Sequence, residues 1–198
     1  MRLIQRLQIE TEAFHADADE EALQLLGAAR PADYLRFLTR TLGFVQPLER
    51  SLVRTPGIGR VVDLRRFEKH HLLRRDLIGF RMPTEDIERL PQCTLPVFDS
   101  PEEALGWAYL VERSTLAHGN LFRHLASIMP GDVAFTSTYL KCYLGTLGES
   151  WKTFADALER AAPSADRAET LVNSARAAFR LHRSWRGRHD DQAIGLSA

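Results

Sequence analysis

The stretch that decides the fold is Glu103-Ala-Leu-Gly-Trp-Ala-Tyr-Leu-Val-Glu-Arg-Ser-Thr-Leu-Ala-His-Gly-Asn-Leu-Phe-Arg-His-Leu125. It opens as a helix should. Ser100 is placed as N-cap and Pro101 as first helical residue, and Glu102 and Glu103 put carboxylates where the helix dipole favours anions. Leu105, Tyr109 and Leu116 recur near helical spacing, as do Ala108, Val111 and Thr115. So broad an apolar face predicts a helix buried on more than one side. Its middle is chemically odd, because Glu112, Arg113, Ser114, Thr115, His118 and Gly119 crowd into about two turns. Gly119 costs about 1 kcal/mol against Ala in a helix interior. Its presence predicts close approach of another group or a local bend.

Outward from this segment the chain reads as helix after helix. Residues 2 to 27 keep a stripe of Leu3, Leu7, Phe14, Ala18, Ala22 and Leu25, with Gly27 as the stop. Thr11, His15 and Asp19 stand four residues apart and so stack on one face. A His beside an apolar stripe also fits a plain rim residue. Pro31 opens a helix over 31–54 in which Pro47 predicts a kink. Asp63 caps a third helix reaching Phe80, carrying Glu68, His70, His71 and Asp76. Adjacent His residues point about 100° apart, which disfavours one shared ion. With Lys69, Arg74 and Arg75 they read as a solvated face. Residues 81–100, with Pro83, Pro91 and Pro96, form a connection. Pro130-Gly131-Asp132 ends the central helix and caps the next stretch. Helices are expected over 149–162 and 166–186. No useful length alternates as a strand, so the fold class is all-α, a single multi-helical domain over 1–187 with a loose tail over 188–198.

Composition excludes several classes. With 198 residues, 44% hydrophobic and 26% charged, the chain can bury a full core. Its 26 basic and 26 acidic residues cancel, giving no general pull toward nucleic acid or acidic membranes. No apolar run reaches the length of about 18 that a membrane span needs, and the charged N-terminus is no signal peptide. Cys93 and Cys142 lie far apart, matching no metal or redox spacing. A cytoplasmic setting is the expectation.

Several of these features, in order, resemble the heme oxygenase family, in the pattern of the bacterial enzymes that accompany bacteriophytochromes. The first helix of those enzymes carries Thr-x-x-x-His and then a carboxylate four residues on, which here are Thr11, His15 and Asp19. Their distal helix, Gly-x-x-Tyr-Val-x-Glu-Gly-Ser-Thr-Leu-Gly-Gly, is similar to Gly106 through His118. An aromatic-Gly stretch before a Trp resembles Tyr139 to Trp151, and a closing helix with Ala-x-x-Ala-Phe and a late Trp resembles Ala175 to Phe179 and Trp185.

The resemblance implies a heme oxygenase-like bundle that cleaves heme, both substrate and cofactor, to biliverdin, CO and ferrous iron. It implies electrons from a ferredoxin or a flavoprotein reductase and a link to a bacteriophytochrome pathway. It implies His15 as proximal heme and metal ligand, a role suited to a neutral imidazole. Asp19 would orient the His15 ring from behind, and Lys152 would sit near the propionates. Ser114 and Thr115, with His118, fall where the distal chemistry would take place, and Arg113, Ala117 and Gly119 would line the heme. The sequence departs from the pattern where Arg113, Ala117 and His118 replace three glycines. Arg113 is expected to turn to solvent or to a carboxylate such as Glu112 or Glu149, leaving the pocket open. His118 is a potential sixth ligand. These departures set out an alternative, a non-catalytic heme or tetrapyrrole sensor or carrier. A di-iron oxidase using Glu68, Asp76, Glu112 and His118 is a further alternative.

Overall fold

The computed structural model describes residues 1–190. Helices follow one another through the chain and no strand occurs among the described residues. They are α1 (Leu3–Thr11), α2 (His15–Ala28), α3 (Pro31–Arg54), α4 (His70–Gly79), α5 (Thr84–Glu88), α6 (Pro101–Ser114), α7 (His118–Ile128), α8 (Pro130–Thr136), α9 (Leu147–Ala161) and α10 (Ala165–Asp190).

The expected 2–27 helix is broken. Thr11 Oγ1 donates to Leu7 O at 2.7 Å, and a 3-10 turn over Glu12–Phe14 separates α1 from α2. Side-chain donation back to the i−4 carbonyl competes with the helical ladder and bends helices. Hydroxyl donation to the preceding turn also accompanies the break in the central helix. Ser114 Oγ donates to Val111 O at 2.8 Å and Thr115 Oγ1 to Glu112 O at 2.6 Å. A 3-10 turn over Thr115–Ala117 follows, and α7 starts afresh at His118. Gly119 itself meets nothing within 4 Å of where a Cβ would stand, so no close approach explains it.

The 63–80 helix is also two pieces. Asp63 caps a 3-10 turn over Leu64–Phe67. Glu49 of α3 then caps α4 from outside, its Oε1 accepting from the amides of Lys69 at 2.7 Å and His70 at 2.8 Å. The solvated face expected here is corrected at two positions: Lys69 and Asp76 are buried. Asp76 accepts from the amides of Thr138 at 2.7 Å and Tyr139 at 2.8 Å, which pins the turn segment after α8 to α4. α3 runs through Pro47 without interruption. α10 continues past Arg186 to Asp190, so the expected loose tail begins inside the helix, and its residues 191–198 lie outside the described residues.

Two apolar clusters form the interior. One joins α1, α6, α9 and α10 around Tyr109, Phe154, Leu158 and Phe179. The other joins α3, α4, α7 and α8 around Tyr34, Leu38, Leu73 and Leu121. Val111 packs against both. The most extensive helix pairing is α6 with α10. It depends on Gly106, where a Cβ would stand 2.4 Å from Leu171 O.

Candidate functional site

At the seam of the two clusters lies a cavity of about 70 Å3. Ala18, Asp19 and Ala22 of α2 line one side, and Arg113, Ser114, Ala117, His118 and Tyr139 line the opposite one. α3 contributes Phe37, Arg40 and Phe44, and α10 contributes His182, Trp185 and Arg186. Of the residues the resemblance implies, Asp19, Arg113, Ser114, Ala117 and His118 line this cavity.

Arg113 neither points to solvent nor uses Glu112 or Glu149. Its Nη1 and Nη2 donate to the two carboxylate oxygens of Asp19, each at 2.8 Å. The guanidinium thus spans from α6 to α2 in a bidentate pair, the strongest geometry such a pair has. This corrects two expectations at once. Arg113 does not leave the cleft open, and Asp19 is held by Arg113 and not by the His15 ring. His15 is held instead by Thr11, with Nε2 and Oγ1 2.9 Å apart, and its ring lies 5.7 Å from that of Phe179. Burial, and then the positive charge of Arg113, push the His15 pKa below its ordinary value, with Asp19 opposing. The imidazole is neutral near pH 7. His15 is not among the residues that line the cavity.

The remaining candidates separate. Ser114 lines the cavity, whereas Thr115 is buried beside it. Both hydroxyls donate to carbonyls of their own helix. Ala117 lines the wall and Gly119 does not. His118 is buried, its ring 4.7 Å from that of Tyr139, with Nδ1 3.8 Å from Cys142 Sγ. Burial, and then Lys69, push its pKa down to about 3, so it too is neutral. Lys152 is exposed on α9 and takes no part in the cavity.

Sequence reading missed the charge cluster behind the distal wall. Glu112 is 1% exposed and accepts from Lys69 Nζ at 2.6 Å, Arg66 Nη2 at 2.6 Å and Tyr143 Oη at 3.0 Å. Burial pushes its carboxyl up, but Lys69 and Arg66 more than offset this and hold it below the usual range. Lys69, correspondingly, is held above its ordinary value against the effect of burial. A Glu inside an oily helix was the available signal, but its partners come from a segment about 40 residues away. These commitments also remove the di-iron ligand set. Glu112 and Asp76 have their oxygens occupied by protein donors, and no cluster of three or more metal-ligating side chains occurs among the described residues. No helix among the described residues is long and apolar enough to cross a membrane.

Heme does not fit this arrangement as it stands. Pockets for drug-sized ligands run to roughly 300–1,000 Å3, several times the space found. α2 packs directly on α7, and the Arg113–Asp19 pair occupies the interval between the facing helices.

An all-α bundle with a cleft between its second helix and a broken central helix defines a class, the heme oxygenase fold. A solved structure of NO- and CO-bound heme oxygenase from Neisseria meningitidis superposes with a TM-score of 0.78 over 98% of this chain and 95% of that one, at 18% identity. The sequence profile of the heme oxygenase family matches residues 1–187, and the chain belongs to that family. No curated protein sequence matches it. The family implies heme as substrate and prosthetic group.

Proposed function

We propose that this protein is a heme oxygenase-family member that binds heme, or a related tetrapyrrole, without cleaving it. It would serve as a sensor or carrier in which binding is linked to parting α2 from α6. The observation that supports this reading is the bidentate Arg113–Asp19 pair. A ligand that enters here has to displace an ion pair between two helices, so its affinity is reduced by the cost of opening. Once open, the distal wall presents Arg113, Ala117 and His118 where the family pattern has glycines, so the backbone cannot approach the macrocycle closely. Residues 1–187 act as one unit, and His15 would be the residue to hold the iron once α2 has moved and its ring has left Thr11, a neutral imidazole being suited to that metal.

The oxygenase reading stands second, favoured by the family match over residues 1–187. On it, heme is cleaved to biliverdin, CO and ferrous iron, with electrons from a ferredoxin or a flavoprotein reductase, in the cytoplasm and in a bacteriophytochrome pathway. Hemin titration followed by reductant and air separates the two. The proposal expects a Soret band that appears and persists. Bleaching of that band with a rising red biliverdin absorbance would establish turnover instead. His15→Ala should abolish the axial ligation while leaving the helical circular dichroism unchanged. An unaltered Soret position and spin state in that variant would remove His15 from the site.

A further inference from the structure

α2 is attached to the rest of the molecule in an unusual way. Among its described side chains only Leu25 is buried, while its acidic run Asp17, Asp19, Glu20 and Glu21 meets arginines of α3, α6 and α10; the contact with α7 carries no ion pair among the described residues. Arg113 of α6 holds Asp19 at 2.8 Å. Arg40 of α3 holds Glu21 at 2.5 Å. Arg186 of α10 reaches Glu20 at 3.3 Å and Glu21 at 3.6 Å, and donates to the carbonyl of Asp17. Arg183 adds Asp17 at 3.2 Å. Underneath, α2 offers Ala18 and Ala22 to the cavity, small side chains that fill little of it. The outer face carries the exposed Leu23 and Leu26.

We infer that α2 is an electrostatically clamped lid over the cavity, able to lift as a unit while α6 and α10 stay packed. The physical basis is a contrast of forces. The α6–α10 pairing rests on apolar burial, which salt does not weaken. Apart from Leu25, Ala18 and Ala22, which reach the two apolar clusters, the attachment of α2 rests on ion pairs, which salt does weaken where they are part-exposed, as at Asp19 and Asp17. Few buried apolar contacts place an element at the low-stability end of local opening. This inference does not depend on the identity of any ligand.

Hydrogen exchange read by mass spectrometry on the full chain tests it, with no ligand added. Raising NaCl from 50 mM to 1 M should speed exchange of amides 15–28 by about 10-fold, with 101–114 and 165–187 unchanged. Glu21→Gln, which loosens the hold of both Arg40 and Arg186, should give the same local change at low salt. Arg113→Asp should loosen α2, and the swapped double variant Arg113→Asp with Asp19→Arg should restore its protection, which a merely structural side chain would not do. Unchanged exchange of α2 in high salt would overturn the lid. So would equal loosening of α6 and α10, which would make the opening global. The salt comparison uses the unaltered protein, so a variant that fails to fold leaves the test intact.

Discussion

Arg113 shows how one side chain redirects a site. Its charge cannot be removed by deprotonation and its fork matches a carboxylate, so it seeks a partner within reach. That partner is Asp19, on the opposite side of the cleft. Arg113→Gly should therefore raise hemin affinity about 100-fold, near 2.7 kcal/mol, as read by Soret titration. A change of only two- or three-fold would show that the pair yields to ligand without cost. Glu112 makes the opposite case. It is buried under two cations and a phenol, so Glu112→Gln leaves Lys69 and Arg66 without compensation. Breaking a buried pair on one side costs about 3–5 kcal/mol, and denaturant unfolding should show a loss of that order.

At the scale of elements, the central helix is organised by its crossing with α10. Gly106 permits the approach, and an added methyl would meet the Leu171 carbonyl, which is backbone and cannot swing aside. Gly106→Ala should thus destabilise by about 1–3 kcal/mol, the usual cost of overpacking, despite the better helix propensity of Ala. Thermal melting checks the sign; a rise in Tm would show that the crossing can widen freely. Gly119→Ala, by contrast, meets open space and should be neutral or slightly stabilising in the same measurement.

At the scale of the whole molecule, acid sensitivity is written into the neutral buried imidazole of His118. Its folded pKa of about 3 lies below the ordinary 6.5, so the unfolded chain takes up a proton first as pH falls. The stabilisation is complete above pH 6.5 and is lost as pH falls from there toward 3, by up to about 1.4 kcal/mol per pH unit. Urea unfolding of His118→Phe across pH 4–7 should lack this one-proton slope relative to the parent chain. Parallel stability curves would mean that His118 is solvated in the folded state.

The sequence by itself determined the helical class, the caps at Ser100 and Asp63, and the order of the family motifs, because these are local. Period, capping chemistry and spacing act within a few residues. It also showed the glycine replacements at Arg113, Ala117 and His118, since these lie within one short stretch and are visible without any partner. What only the tertiary structure decided was where the charges go. Three side chains drawn at the surface or in the pocket by sequence pattern, Lys69, Asp76 and Arg113, found partners about 43, 62 and 94 residues away in the chain. The bend expected beside Gly119 falls just ahead of it, at Thr115–Ala117, whereas the break at Glu12–Phe14 had no such signal. At both breaks a hydroxyl donates to a carbonyl of its own helix, a bond that residue spacing alone does not announce. Whether the cleft stands open depends on the same fact: a carboxylate on α2 and a guanidinium on α6 neutralise each other only once the fold has set those helices face to face.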